Sequence, residues 1–576
     1  MLSAGGSIPP VTDALLVDPL CSYEKVGLIV NLESLLHDRL APALAAVAGH
    51  PVDPVVRASP HADFQSGAPL ALARELGRAP REIAAEVAGK ADLTGVAEIA
   101  VSGPGFLNLT VSDSLLTGAL RAVAADDRLG VPVTAAPERI VVDYSGPNAA
   151  KEMHVGHLRS TIIGDALARM LDWLGHDVIR MNHLGDWGTQ FGMLVEHLVD
   201  LGGAADHSIR DLTAFYQDAR VKFDADEDFR TRARLRVVAL QSGDPLSRQL
   251  WRRLVAQSEV YFLDVYARLG ITLTAADFAG ESRYQDDLPV LVDDLLAQGL
   301  LTESDGALCA FPAGFTGRDG EPLPLIVRKA DGGFGYAATD LAAVRHRVAT
   351  LGANRLLYVV GAPQRTHFAM VFAVARAAGW LPDPVTAEHL GFGSVLGADG
   401  KMLRTRAGDT IKLAELIDEA VGRATAPAIG IGAIKYADLS GDRRGDYVFD
   451  WDRMLASTGN TGPYLQYAYA RVRSLFRKAA HGPGPISVTE PAERALALAL
   501  LGFEPAVTAA AALGEPHRLA VYLHDLASVF SGFYEKCPVL RSAPEVRASR
   551  LGLADLTART LHTGLFLLGI EAPEQI

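Results

Sequence analysis

Two histidines three residues apart, at the end of a run of small and polar residues, are the part of this chain best suited to chemistry. The run reads Asp143-Tyr-Ser-Gly-Pro-Asn-Ala-Ala-Lys-Glu-Met-His-Val-Gly-His157. Ile140, Val141 and Val142 before it predict a strand, and a Gly-Pro turn breaks that strand. Leu158, Ile162, Ala166, Met170 and Leu174 then recur at helical spacing, and Gly175 ends the helix. His154 and His157 therefore share one face of a first helical turn, above the end of a strand. Free backbone N–H groups and the positive end of the helix dipole suit such a turn to phosphate. Imidazoles there can hydrogen-bond phosphate oxygens as charge develops. Gly156, lacking a Cβ, would let a flat base approach the backbone. Lys151, three residues before His154, is placed to neutralise a departing polyphosphate. The plainer reading is two ordinary helix-face histidines. A zinc site is another, but no adjacent Glu makes a His-Glu-x-x-His motif and no third ligand is spaced nearby.

Two further clusters can do chemistry. Gly400-Lys-Met-Leu-Arg-Thr-Arg-Ala-Gly-Asp409 is a basic, glycine-bounded loop after a strand. Arg443, Arg444, Arg471, Arg473, Arg477 and Lys478 are interleaved with Tyr464, Tyr467 and Tyr469. Cations among aromatics can pair with phosphates and stack on splayed bases. A salt-laced helix with tyrosines in the core accounts equally well for any one of them. Arg547, near the end, carries the same ambiguity.

The elements that must position these groups fall into three parts. Residues 1–130 predict a small α+β domain, with two amphipathic helices joined at Gly77 and Pro80, and two strands around Gly103-Pro-Gly105. Residues 131–415 alternate strand and helix patterns, which implies a parallel sheet, with a helix-rich insertion at about 195–300. From 416 to 576 the strands stop and Ala/Leu-rich helical patterns predict a bundle. Ligands of such a sheet sit at its C-terminal edge, near the switch point.

Length and composition fit this plan. The 576 residues are 49% hydrophobic and 21% charged, enough for several cores. A net charge of −14 lowers the expectation of a nucleic-acid partner only weakly, because phosphate binding is local. Cys21, Cys309 and Cys537 are scattered and odd in number, so neither a disulfide framework nor a Cys-x-x-Cys pair is expected. That fits a reducing cytoplasm. No signal peptide is expected at the N-terminus. The apolar stretch Ala495–Leu501 is cut by Gly502, Glu504 and Pro505 and reads as a bundle helix, not a membrane span.

His154-Val-Gly-His157 resembles the HIGH signature of class I aminoacyl-tRNA synthetases. The longer string Ser145–Thr161 resembles the arginyl-tRNA synthetase family in particular, and further blocks agree. His61-Ala-Asp-Phe-Gln65, Pro80-Arg-Glu-Ile83 and Gly103-Pro-Gly-Phe-Leu-Asn108 resemble that family's appended N-terminal domain, which contacts tRNA. The helical C-terminal part resembles its anticodon-binding bundle. The resemblance implies a Rossmann-like catalytic domain with an inserted connective segment, and ATP-dependent joining of arginine to tRNA(Arg). It makes His154, Gly156, His157, Lys401, Met402 and Arg404 the ATP-binding residues. Lys401 and Met402 match the standard letters of the second, KMSKS signature, and Arg404 replaces its usual second lysine. His154, His157, Lys151 and Arg404 would be catalytic. Mg²⁺ is expected with ATP, with no protein metal site. For the amino acid, a guanidinium needs fixed carboxylate acceptors. Glu281 and Asp340 are the candidates, with Tyr336 on the face of Asp340 if that turn is helical. Asn148 and Gln364 would bind the α-amino or carboxylate group. The tRNA-binding set is Arg443, Arg444, Tyr464, Arg471, Arg473 and Arg547. A monomer without membrane association is expected. The rivals are a nucleotidyltransferase sharing only the fold, which the flanking domains oppose, and a catalytically divergent paralogue sensing tRNA or arginine.

Two cations could serve the phosphates, and they are not equivalent. A lysine beside a helix N-terminus is a compact clamp, whereas the guanidinium of Arg404 is broad and planar. Lys151→Ala is expected to lower the single-turnover rate of adenylate formation, with tRNA saturating, by at least about 10²-fold. Arg404→Ala should cost less and Arg404→Lys almost nothing. The reverse order would make the loop the main phosphate clamp.

Overall fold

The computed structural model describes residues 31–202, 212–317, 319–403, 411–479 and 482–576. It divides into two compact units, meeting between Gly130 and Val131.

The first unit is built on a four-stranded antiparallel sheet in the order β1 (Val56–Ser59), β2 (Ala62–Ser66), β4 (Phe106–Val111), β3 (Ala97–Ser102). Helices Ala68–Leu76 and Pro80–Lys90 and the β3–β4 hairpin lie where the sequence predicts them. Helix Leu32–Ala48 carries Pro42 inside it, which costs a backbone hydrogen bond. Burial of Leu32, Leu36, Leu40, Ala43 and Leu44 on one face outweighs that local cost.

The second unit carries a parallel sheet in the order β11-β10-β5-β6, formed by Thr386–His389, Arg355–Tyr358, Arg139–Asp143 and Asp177–Met181. Ile140, Val141 and Val142 are fully buried, as an unbroken apolar run in a sheet covered on both faces must be. From β5 the chain crosses through helix Val155–Trp173 to β6 on one side. The later strand β10 pairs on the other side, so the switch point lies at the C-terminal ends of β5 and β10. Between β6 and β10 come helices Thr189–Asp200, Leu212–Ala225, Glu227–Gln241, Pro245–Leu269 and Leu288–Ala297. A small antiparallel sheet follows, β7 (Thr302–Ser304), β8 (Ala307–Ala310) and β9 (Leu325–Arg328). These strands are too short for an alternating pattern to register, and the sequence did not suggest them.

Helix Val155–Trp173 is buried all round, not along one apolar stripe. Its polar residues Arg159, Ser160, Thr161 and Asp165 are as inaccessible as its leucines. Each therefore needs a partner. Arg159 Nε donates to Asp438 Oδ1 at 3.0 Å, and its Nη1 donates to the Gly445 carbonyl at 2.8 Å. Asp165 accepts from Arg169 Nε at 2.8 Å and from the Thr272 amide at 2.7 Å. Lys435, also buried, lies near Asp165 and donates to the Leu269 carbonyl at 2.8 Å. Burial pulls the Lys435 ammonium down to about 8, against the opposing pull of Asp165.

Lys435 and Asp438 belong to helix Pro427–Leu439, in the helical region that runs from 413 to the end of the chain. The packing has no break near 415, because these buried charges join the helical region to helix Val155–Trp173 within one unit. The stretch Pro491–Ala512 has the length and apolar composition of a membrane span. It is interrupted at Gly502 and packs against helices His517–Lys536 and Pro544–Leu567.

Arg159→Met would leave Asp438 buried without its cation. It is expected to destabilise the protein by about 3–5 kcal/mol, read from urea unfolding. Adding Asp438→Leu should recover most of that loss. An unchanged unfolding midpoint in Arg159→Met would show that the pair does not hold the helices together.

Candidate active site

The loop after β5 owes its shape to buried hydroxyls. Ser145 and Ala150 both adopt left-handed backbone, with φ of 74° and 63°. Each such residue costs about 1–3 kcal/mol unless its surroundings impose it. The Ser145 amide donates to Ser160 Oγ at 2.9 Å, and the Ala150 amide donates to Ser258 Oγ at 2.8 Å. Tyr266 OH meets Ser145 Oγ at 2.7 Å and accepts from Asn182 Nδ2 at 2.8 Å. Asn182 Oδ1 in turn accepts the Gly146 amide at 2.9 Å.

At the end of this loop the two histidines cap their own helix. His154 Nδ1 accepts the Gly156 amide at 3.0 Å, and His157 Nδ1 accepts the His154 amide at 3.1 Å. An Nδ1 that accepts carries no proton, so in both rings the proton sits on Nε2. The ring centroids are 4.0 Å apart. Burial, reinforced by the neighbouring His154, pushes His157 down to about 3. Burial and then the Lys151 ammonium lower His154. The pair therefore offers two neutral Nε2–H donors. A Cβ on Gly156 would lie 2.7 Å from His154 Cε1, so this glycine makes room for the His154 ring. Lys151 holds its ammonium 4.3 Å from the centroid of the Tyr216 ring.

The second basic loop is tied to the same place. Its first arm is a tight hairpin, with the Gly397 amide on the Lys401 carbonyl at 2.7 Å and the Leu403 amide on the Val395 carbonyl at 3.0 Å. Lys401 and Met402 are exposed on it. Arg404 lies outside the described residues, as do Arg406 and Gly408. Where the chain returns, the Val155 amide donates to the Ile411 carbonyl at 3.0 Å and the Leu413 amide to the Met153 carbonyl at 2.8 Å. Lys412 pairs with Glu152 at 2.7 Å.

A carboxylate pocket is formed by the loop after β6, the turn at 281 and helix Tyr336–Ala349. Asp186 is buried and accepts from both the Ser282 amide, at 2.9 Å, and Ser282 Oγ, at 2.6 Å. Gly280 has to be glycine, since a Cβ there would lie 2.1 Å from Asp186 Oδ2. This clamp sets Glu281, whose carboxyl is pushed up to about 8 by burial, then by Asp340, then by Asp186. Asp340 lies one turn from Tyr336 on the same helical face, as the spacing predicts, and Tyr336 is exposed. Asn148 bridges to Gly185, the residue before Asp186, and is exposed. Gln364 is exposed on the turn that opens helix Arg365–Ala377. The structure thus brings Glu281 and Asp340 together and sets Asn148, Tyr336 and Gln364 on the adjoining segments. It adds two residues that the sequence reading missed, Asp186 and His367. His367 Nε2 meets Asp340 Oδ2 at 2.6 Å.

Family models match along the chain in the same order as these parts. They are the arginyl tRNA synthetase N terminal domain over 31–111, the class I (R) tRNA synthetase catalytic domain over 119–427, and the DALR anticodon binding domain over 465–576. A protein of Thermobifida fusca named arginine–tRNA ligase is 52% identical, over 94% of this chain and 99% of its own. One of Laribacter hongkongensis with the same name is 48% identical, over 95% and 100%. The chain belongs to the arginyl-tRNA synthetase family. Solved arginyl-tRNA synthetases of Plasmodium falciparum and Thermus thermophilus superpose with TM-scores of 0.83 and 0.79. Each is 28% identical and covers 95% of this chain and 100% of its own.

For an arginyl-tRNA synthetase, the arginines expected to meet RNA have uneven standing. Arg443, half-buried, and Arg444, exposed, both have partners within the protein. Arg443 donates to the Gly514 and Gly391 carbonyls at 2.8 and 2.6 Å, and Arg444 pairs with Asp442 and Glu515 at 2.7 and 3.1 Å. Arg473 pairs with Glu574 at 3.1 Å. Tyr464 packs near His524, with ring centroids 5.5 Å apart. Arg471 is exposed and Arg547 half-buried. A run of arginines reads alike in sequence whether its charge faces water or ties two loops together.

The raised Glu281 carboxyl gives this family member a measurable signature. Below about pH 8 Glu281 is mostly protonated. If Glu281 receives the guanidinium as a carboxylate, as the sequence reading expects, the ligand displaces that proton. Arginine binding at pH 7 is expected to release close to one proton, seen by calorimetry in buffers of different ionisation enthalpy. Affinity should rise with pH and level off above about 8. Glu281→Gln should abolish the release. Proton-neutral binding with a flat affinity from pH 6 to pH 9 would exclude this charge arrangement.

Proposed function

We infer that this chain ligates L-arginine to tRNA(Arg), forming arginyl-adenylate from arginine and ATP and then arginyl-tRNA, with release of pyrophosphate and AMP. The observation that carries the reading is the pairing of two sites along one sheet edge. One is a pair of neutral N–H donors at a helix start; the other is a carboxylate cluster in which burial and like charge keep Glu281 protonated. The first suits a phosphate and the second a guanidinium.

In this proposal Glu281 and Asp340 hold the guanidinium, with Tyr336 beside them. Asn148 and Gln364 orient the α-amino and carboxylate groups. A carboxylate oxygen of arginine attacks the α-phosphorus, and the bond to pyrophosphate breaks. His154 and His157 donate Nε2–H to the α-phosphate oxygens. Being neutral, they stabilise the charge gained in the transition state without over-binding the ground state. Lys151 leaves the Tyr216 ring for the departing pyrophosphate, and Lys401, Met402 and Arg404 close over the nucleotide. The 2′-hydroxyl of the terminal adenosine then attacks the acyl carbon, and AMP leaves. Magnesium enters as its complex with ATP, and no protein ligand is assigned to it. The first unit would contact tRNA and the helical region from 416 would bind the anticodon, with Arg471 and Arg547 as the better-placed cations. The protein would act as a monomer in the cytoplasm.

Aminoacylation of total tRNA, tried with each of the twenty amino acids, is expected to proceed with arginine alone. Arginine-dependent ATP–pyrophosphate exchange is expected to be negligible until tRNA is added. Robust exchange by RNase-treated protein would contradict the second expectation. A chain that bound arginine or tRNA but formed no product would instead support a sensor.

A further inference from the structure

His367 is a basic side chain in contact with the carboxylate cluster that the reaction above leaves without a role. It lies in the first turn of helix Arg365–Ala377, three residues after Gln364. Its Nε2 meets Asp340 Oδ2 at 2.6 Å, with the two side chains only 25% and 15% exposed. An ionised aspartate only accepts, so the proton in this bond belongs to Nε2. One oxygen of Asp340 thereby accepts from a neighbour 27 residues away, which restrains the side chain. The bond to His367 falls on Oδ2 and not on Oδ1.

We propose that His367 is a positioning residue of the arginine pocket, which holds Asp340 so that its remaining oxygen and the Glu281 carboxylate together receive the guanidinium fork. The inference rests on the assignment of this pocket to arginine and adds how the fork is shared. If both oxygens of Asp340 were free, that residue could take the guanidinium end-on by itself, and Glu281 would be redundant. With Oδ2 already accepting from His367 and the carboxylate held by it, the second donor of the fork is better met by Glu281, and two donors at fixed spacing bridge two carboxylates. A planar guanidinium does this, and a point-like ammonium does not. His367 therefore contributes to selection of arginine over lysine without touching either. Pinning Asp340 before the ligand arrives also spares the ordering cost on binding.

The test is steady-state aminoacylation by the full chain. His367→Ala is expected to raise the arginine KM about tenfold. The ATP KM should change less than about twofold, and inhibition by lysine should strengthen relative to arginine binding. His367→Gln, which keeps an N–H at similar reach, should restore most of the loss; a merely space-filling role would not be rescued this way. In an Asp340→Asn background, His367→Ala should add little further effect. Should His367→Ala fail to fold, His367→Gln against His367→Leu makes the same comparison. An unchanged arginine KM in His367→Ala, or an equal loss with and without Asp340, overturns the inference and leaves the pocket standing. An unchanged arginine KM in Asp340→Asn removes the pocket and the inference together.

Discussion

The structure depends on a helix that has no solvent face. Val155–Trp173 is covered by the parallel sheet on one side and by helices of the C-terminal region on the other, so its four buried polar residues, Arg159, Ser160, Thr161 and Asp165, each need a partner. Arg159 is answered by Asp438, and Asp165 by Arg169 and Thr272 with Lys435 nearby. Buried pairs of this kind add little net stability over well-packed apolar groups, but an unmatched partner is costly. Their effect is on specificity of arrangement. The helix that starts with the two histidines can sit in only one place relative to helix Pro427–Leu439. The turn at Gly445, held by Arg159, leads into the strand Tyr447–Val448 that pairs with Val395–Leu396 at the base of the second basic loop. Both signature segments thus take their position from one guanidinium.

Electrostatics at the sheet edge runs opposite to a count of charges. The two histidines at the helix start are uncharged, because burial depresses both rings and their Nδ1 atoms accept backbone amides. At the amino-acid side, Glu281 is largely uncharged in the absence of a cation. The Glu281 carboxyl would take up its charge only when a cation arrives, so binding and protonation are linked there, whereas the histidines stay neutral throughout.

Much of this was legible in the sequence for local reasons. The strand, turn and helix around Asp143–Gly175 announce themselves because the period changes from an unbroken apolar run to 3.6 residues within twenty positions. The four-residue spacing of Tyr336 and Asp340 sufficed to put them on one face. What stayed hidden depends on distance along the chain. The partner of Asp340 is 27 residues away, that of Arg159 is 279 away, and Ser282 closes on Asp186 across 96. No periodicity carries such pairings. His367 did leave one faint mark, since it repeats, relative to Gln364, the three-residue step of the two signature histidines. The partners of Arg443 and Arg444 were equally hidden, because a sequence cannot say which carbonyls or carboxylates a guanidinium will find.

The strained loop between β5 and the histidines sets the order in which the site can form. Ser145 and Ala150 are held in left-handed backbone partly by Tyr266 and Ser258, which lie 121 and 108 residues further along the chain on helix Pro245–Leu269. Contacts so remote in sequence form late, since a long loop must close first. A chain emerging from the ribosome would display both histidines well before it could shape them into a phosphate site. Helix Pro245–Leu269 thus acts as an intramolecular template, and catalytic competence is acquired only when the middle of the protein has been synthesised and docked.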